Sequence, residues 1–286
     1  PEEVLERGKD VPYLIVNKVE ITGEVIAALP AVQYIGVTAT GYNIVDLKAA
    51  SGRNIVVTNV PTYGTDTVAQ HTFALILELS RHTSLHHAAV QDGAWSRSDD
   101  FCFALAPIRE LTGLTLGILG LGRIGRGVAK IGAAMGMRLV GHDLYWPTDE
   151  QLDGLEIESR EIDEVFQQAD VLTMHCPLTA ETHHLVNKTR LSLMKSDAVL
   201  VNTSRGPLID NEALADALRN DVIAGAGVDV LDVEPPPADH PLIAAPRCVV
   251  TPHIAWYARA ARQRLLDTAA SNLSAYLDGK VVNQVN

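Results

Sequence analysis

The 286-residue sequence predicts an α/β fold built on parallel sheets, and two observations predict it. Short apolar segments with strand character alternate along the chain with longer helix-like segments, the pattern of parallel strands joined by crossover helices. One of these strands, within Thr115–Leu119, runs directly into Gly120-Leu121-Gly122-Arg123-Ile124-Gly125, a G-x-G-x-x-G turn that opens a helix. In such a turn the first glycine permits the tight bend, the second lets a pyrophosphate approach the backbone, and the third lets helix and strand pack closely. The helix N-terminus offers free N–H groups and a positive dipole end to the phosphates. The fold class is therefore α/β, with Rossmann-like, doubly wound parallel sheets.

Taken in order, Pro12–Asn17 reads as a strand, Thr22–Leu29 as a helix stopped by Pro30, and Gln33–Thr38 as a second strand. Ile44–Ser51 reads as a short helix ended by Gly52, and Asn54–Asn59 as a third strand. Asp66 or Thr67 then caps one long helix from Val68 to about Val90, with Ala69, Phe73, Ile76, Leu77 and Leu79 as its apolar stripe. Residues 91–112 read as irregular, which is long for a loop and suits an arm that packs on a partner subunit. After the glycine turn, Val128–Gly136 is small and helical, and Met137–Asp143 is a strand with an acid at its end. Helices at Ile162–Gln168, Leu191–Lys195, Asn211–Asn220 and Arg259–Leu277 alternate with strands at Asp170–His175, Ala198–Asn202, Ile223–Val230 and Cys248–Thr251.

Composition excludes several functional classes. A formal net charge of −12 disfavours nucleic-acid and anionic-membrane partners. No apolar run approaches the roughly 20 residues of a membrane span, and no signal peptide is visible. Cys102, Cys176 and Cys248 are widely separated, without metal-ligand spacing, which suits a reducing, cytoplasmic setting. His82 and His86 stand at i, i+4, but a solvent-facing helix surface explains them without a metal. The pairs His86-His87 and His183-His184 read likewise as surface residues, so no metal is expected.

The chemistry gathers at predicted strand ends, where ligands bind in open α/β sheets. Asp143 falls 18 residues after Gly125, near the spacing of the carboxylate that holds an adenosine ribose. It is followed by Leu144, Tyr145 and Trp146, so no cation stands beside it for a 2′-phosphate, which favours NAD(H) over NADP(H). His175, Arg205, Asp229, Glu234 and His253 also sit at or just beyond strand ends. Hydride transfer to a 2-keto acid needs a cation for the carboxylate, a proton donor for the developing alkoxide, and a group that keeps the donor charged. Arg205 supplies a planar fork, His253 a proton near neutrality, and Glu234 a carboxylate to raise the histidine's pKa. Each also has a plainer reading: a surface ion-pair partner for the arginine, a solvated turn residue for the glutamate, a structural histidine after Thr251-Pro252.

These segments together resemble the D-isomer-specific 2-hydroxyacid dehydrogenase family over nearly the whole chain. The resemblance rests on Gly-Leu-Gly-Arg-Ile-Gly (120–125), Leu-Val-Asn-Thr-Ser-Arg-Gly (200–206), Gly-Val-Asp-Val-Leu-Asp-Val-Glu-Pro-Pro (227–236) and Thr-Pro-His-Ile (251–254). Tyr34–Asp46, Thr58–Tyr63 and His253-Ile254-Ala255-Trp256 resemble its glycerate dehydrogenase (hydroxypyruvate reductase) branch. Formate dehydrogenases of the same superfamily carry Gln where Glu234 stands.

The resemblance implies Arg205, Glu234 and His253 as catalytic residues, and Thr40, Gly41, Arg205 and His253 as substrate contacts. It implies cofactor contacts from Gly120, Gly122, Arg123, Ile124, Gly125, Asp143, Pro177, Thr182, Thr203, Asp229 and His253, with NAD as cofactor. It implies a discontinuous substrate domain (1–66 and 257–286), an NAD-binding domain (67–256), an active-site cleft between them, and a homodimer formed through the 68–90 helix and the 91–112 arm. Where the family usually reads Val-Ala-Glu, the chain has Val68-Ala69-Gln70, and family members carry a strand–helix unit that would precede Pro1. The expected activity is NADH-dependent reduction of a small 2-keto acid, hydroxypyruvate or glyoxylate, to the D-2-hydroxy acid. A reductase of a bulkier keto acid and a dinucleotide-sensing, corepressor-like binding protein are the alternatives.

Overall fold

A computed structural model describes residues 2–286. The chain divides into two compact units, Pro1–Gly64 with Tyr257–Asn286, and Thr65–Trp256.

In the first unit, α1 (Glu2–Gly8), β1 (Tyr13–Val16), α2 (Gly23–Ala28), β2 (Tyr34–Val37), α3 (Leu47–Gly52) and β3 (Val56–Thr58) alternate, and the strands form a parallel sheet in the order β1-β2-β3. Its core is Ile21, Val25, Ile26, Leu29, Ile35, Val37, Ile55 and Val57. Thr22 caps α2 by accepting the Val25 N–H. The helix expected from Ile44 starts later, because Ile44 accepts the Ile21 N–H and Asp46 caps at Ala49. The terminal helix α11 (Arg259–Leu277), numbered last in the chain, belongs to this unit, and its Asn272 amide donates to the Asn59 carbonyl. The stretch Glu2–Gly8, left unassigned from sequence, is helical.

The second unit holds α4 (Thr65–Arg81), α5 (Thr83–Gln91), β4 (Thr115–Leu119), α6 (Arg123–Ala134), β5 (Arg138–His142), α7 (Asp149–Leu152), β6 (Glu158–Ser159), α8 (Ile162–Gln168), β7 (Val171–Met174), α9 (Lys188–Leu191), β8 (Val199–Asn202), α10 (Asn211–Arg219), β9 (Gly225–Val228) and β10 (Cys248–Val250). Seven strands form one parallel sheet in the order β10-β9-β8-β7-β4-β5-β6. The direction of winding reverses beside β4, with β5 on one side and β7 on the other, so the crevice for a ligand opens beyond their carboxyl ends. Strands buried along their full length, such as β4, β7 and β8, carry continuous apolar runs because helices cover both faces.

Three expectations are corrected here. The long helix from Val68 to Val90 is two helices, broken at His82, whose φ of 51° leaves the helical region. The break is stabilised locally: the Glu78 carboxylate accepts the Thr83 hydroxyl at 2.7 Å and the Ser84 N–H at 3.2 Å. Leu77, assigned to the buried stripe, is exposed. The helix placed at Leu191–Lys195 lies at Lys188–Leu191, because the Asn187 side chain caps it by accepting the Arg190 N–H. The small elements α7 and β6 went unread.

Candidate active site

The glycine turn is built as its residue types require. Gly120 has φ +92°, and a side chain there would stand 2.5 Å from the Cys176 backbone nitrogen, where the loop after β7 crosses it. Gly125 lies so close to the turn that a Cβ would come within 2.0 Å of the Gly120 carbonyl oxygen. Gly122 differs: its φ of −62° suits any residue, and a Cβ there would meet nothing within 4 Å. The empty space over Gly122 faces the start of α6, where no side chain caps the helix. An open, glycine-floored cradle at an uncapped helix N-terminus fits a dinucleotide's pyrophosphate. Arg123 is exposed and Ile124 half-buried in the first turn above it.

Asp143 stands at the end of β5, half-buried, and its carboxylate accepts the Leu121 N–H at 2.5 Å and the Tyr145 N–H at 2.9 Å. It is thereby fixed beside the glycine turn. Thr182 ties its own loop, donating to the Pro177 carbonyl at 2.8 Å. The Thr72 hydroxyl donates to the Val68 carbonyl, so the buried Thr203 hydroxyl donates to Thr72 at 2.9 Å. Thr203 therefore turns its side chain into the protein.

Beyond β8, β9 and β10, three neighbouring strands, lie Arg205, Asp229 and His253. Arg205 is exposed; its guanidinium donates to the Ser204 carbonyl, and the Asn202 amide donates to the Arg205 carbonyl, fixing the turn. His253 meets Glu234 at 2.6 Å through Nδ1, and the other Glu234 oxygen accepts the Leu231 N–H at 3.1 Å. This contact leaves Nε2 as the ring atom not facing the carboxylate.

His253 has φ +54°, an unfavourable conformation for a residue with a Cβ. Asp229, 1% exposed, holds it there. The Asp229 carboxylate accepts Ile254 N–H at 2.9 Å, Ala255 N–H at 2.8 Å and the Thr251 hydroxyl at 2.6 Å, while its backbone carbonyl accepts the His253 N–H. Burial pushes the Asp229 pKa up, but the bonds from His71, Thr251, Ala255 and Ile254 outweigh it and hold the pKa below the usual range. His71 of α4 was not singled out from sequence. Its Nε2 lies 3.0 Å from the Thr251 hydroxyl and 3.4 Å from Asp229. Because the Thr251 proton goes to Asp229, His71 donates from Nε2.

One candidate falls away. His175 bonds to Thr173 at 2.9 Å, and desolvation drives its pKa down to about 3, so it stays neutral and gives no charge to a site. His86, half-buried, spends Nδ1 on the His82 carbonyl and Nε2 on the Leu105 N–H. Among the described residues no group of three or more His, Cys, Asp or Glu is placed to hold a metal ion, and no helix is long and apolar enough to cross a membrane. Thr40 and Gly41 follow β2 in the first unit, where the Thr40 hydroxyl donates to the Val60 carbonyl and the Asn59 amide donates to the Thr40 carbonyl.

Comparison with known proteins decides the family. Residues 73–255 match the family described as D-isomer specific 2-hydroxyacid dehydrogenase, NAD binding domain. The chain belongs to the D-isomer-specific 2-hydroxyacid dehydrogenase family. A hydroxypyruvate reductase of Blautia hydrogenotrophica is 42% identical over 100% of this chain and 88% of its own length. A glycerate dehydrogenase of Methylorubrum extorquens is 37% identical over the same shares. The crystal structure of the TT0316 protein from Thermus thermophilus superposes with a TM-score of 0.91 at 40% identity, covering 100% of this chain and 89% of that one. The protein is accordingly an NAD-dependent oxidoreductase acting on small 2-keto and D-2-hydroxy acids.

Proposed function

We propose that this dehydrogenase reduces hydroxypyruvate or glyoxylate with NADH, and runs the reverse reaction from the D-2-hydroxy acid. The His253–Glu234 contact of 2.6 Å beyond β10 carries the mechanistic reading. NADH, when bound, supplies the hydride. Arg205 binds and orients the substrate carboxylate through its fork. His253 presents Nε2 to the carbonyl oxygen and gives up a proton as negative charge develops there. Glu234, opposite Nδ1, stabilises the imidazolium over the neutral ring. Asp229 keeps the turn bearing His253 in its left-handed conformation. Gly120, Gly122, Arg123, Ile124 and Gly125 cradle the pyrophosphate, and Asp143 takes the adenosine ribose. Pro177, Thr182, Thr203 and Asp229 complete the cofactor contacts, Thr203 through its backbone. Thr40 and Gly41 offer backbone N–H groups to the substrate carboxylate.

The choice of substrate is supported by the names of the relatives above and by the Glu at position 234. NADH is preferred to NADPH because Asp143 is followed by Leu144, Tyr145 and Trp146, with no cation for a 2′-phosphate. The substrate domain is 1–66 with 257–286, and the NAD-binding domain 67–256. The working form is a homodimer, supported by the exposed apolar residues Trp95, Phe101, Leu105 and Ile108 in the irregular arm. A cytoplasmic setting is supported by three free cysteines.

His253→Asn tests the reading. Turnover should fall by roughly 10²- to 10⁴-fold, far more than NADH affinity, measured by fluorescence quenching. Near-parental turnover in His253→Asn would overturn the assignment.

A further inference from the structure

Glu234 sits on a segment without helix or strand, residues 231–242, that runs through Pro235, Pro236 and Pro237. Its carboxylate must nonetheless be held within hydrogen-bond reach of a ring on a different loop. On the same segment lies a buried histidine that has no part in the reaction described above. The His240 side chain is 4% exposed. Its Nδ1 accepts the Leu242 N–H at 3.3 Å, so the ring is neutral and its single proton lies on Nε2, facing the Asp232 carboxylate at 2.9 Å. Asp232 also accepts the Val233 N–H at 3.0 Å.

The turn held in this way touches both proposed catalytic segments. On one side, Glu234 closes it by accepting the Leu231 N–H, and reaches His253 with its second oxygen. On the other, Gly206, the residue after Arg205, lies against it backbone to backbone. A Cβ on Gly206 would stand 2.0 Å from the Leu231 carbonyl and 2.4 Å from the Asp232 nitrogen. We propose that His240 and Asp232 are positioning residues, a neutral His–carboxylate clamp that sets the Leu231–Glu234 turn so that Glu234 meets His253 and the Arg205 turn is seated beside it. The proposal rests on the roles given to Glu234 and His253. The other ionisable groups lining the open depression beside the clamp are His184, Asp210, Glu212 and Asp239, and the substitutions below leave them in place.

The test is a double-mutant cycle between His240 and Glu234. In His240→Asn the side-chain oxygen replaces Nδ1 and keeps the Leu242 bond, but the side chain is too short to reach Asp232. In His240→Gln the longer amide restores a donor to Asp232. His240→Asn should lower kcat for keto-acid reduction by about tenfold, since small displacements of a catalytic group are costly, and leave the NADH Kd within about twofold. His240→Gln should recover at least about half of the parental kcat, and in a Glu234→Gln background His240→Asn should cost less than about twofold more. A full tenfold loss in both backgrounds, or no loss in the parent, would overturn the clamp. A Glu234→Gln enzyme as fast as the parent would instead remove the role of Glu234 on which the clamp depends, a result distinct from a silent His240→Asn beside a slow Glu234→Gln. Should His240→Asn fail to fold, Asp232→Ala, which removes the acceptor of the His240 Nε2 proton, carries the same cycle: about a tenfold lower kcat in the parent and less than about twofold in the Glu234→Gln background.

Discussion

Glu234→Gln is the substitution that isolates charge from shape at the proposed acid–base pair. Glu234 accepts two bonds, from Leu231 N–H on one oxygen and from His253 Nδ1 on the other. Glutamine has one acceptor oxygen. If that oxygen stays on Leu231, the NH₂ group confronts Nδ1 and the ring must become neutral to accept it. If it turns to His253, two N–H groups face each other at Leu231. Either arrangement loses a charge-assisted bond, worth about 1.5–3 kcal/mol. The two side chains are 32% and 30% exposed, so solvent screening favours the middle of that range or below, about 2 kcal/mol. On a transition state that needs the imidazolium, that corresponds to a roughly 30-fold lower reductive kcat. Steady-state rates with NADH and hydroxypyruvate, together with NADH affinity, would measure it. The NADH Kd should be unchanged, since the substitution acts at the His253 pair and leaves the glycine turn as it is. A kcat within twofold of the parent would refute the reasoning.

Other outcomes follow from the same geometry. Arg205→Lys should raise the substrate KM and lower kcat/KM by about 30-fold or more, because an ammonium cannot reproduce the planar fork; a near-parental kcat/KM would contradict the clamp on the carboxylate. Gly122→Ala and Gly125→Ala should differ in kind. The first adds a methyl in open space and should leave Tm unchanged while weakening NADH at least tenfold, about 1.4 kcal/mol. The second drives a methyl into the Gly120 carbonyl and should lower Tm, so equal effects on NADH affinity and Tm in both variants would argue against the cradle. Acid should destabilise the parent more than Asp229→Asn. The folded Asp229 pKa lies below its unfolded value, so its contribution is full above the unfolded value and is lost as pH falls through the folded one. The Tm gap between the two should therefore shrink on acidification, and a constant gap from pH about 6 to 3 would contradict the assignment.

How much of this was legible in the sequence depends on the range of the interactions involved. Ile162–Gln168 and Arg259–Leu277 begin and end in the structure where their residue patterns place them, because periodicity is a local property. The break at His82 was missed because it requires Glu78 to reach past Arg81 to Thr83 and Ser84, a contact that competes with an otherwise uniform helical pattern. The start of α9 was missed because Asn187 was not read as a cap. In the site, Arg205, Asp229 and His253 were legible as strand-end residues, and their strands prove to be neighbours in the order β10-β9-β8. Their supports were not. His71 reaches Thr251 across 180 residues, and His240 gains meaning only when its partner Asp232 and the Leu242 N–H are seen around it. His240-Pro241 after three prolines, and a lone His in the helical stretch Ala69–Phe73, were the available signals, and neither indicates a partner by itself. The Thr203 hydroxyl, buried against Thr72, shows the converse: position in a motif does not say which way a side chain faces.

The central claim is tested most directly by initial rates of NADH oxidation with hydroxypyruvate, glyoxylate, pyruvate and phenylpyruvate, each repeated with NADPH. The account predicts the highest kcat/KM for hydroxypyruvate or glyoxylate with NADH, and a D configuration in the product. A higher kcat/KM for phenylpyruvate, or for NADPH over NADH, would contradict it.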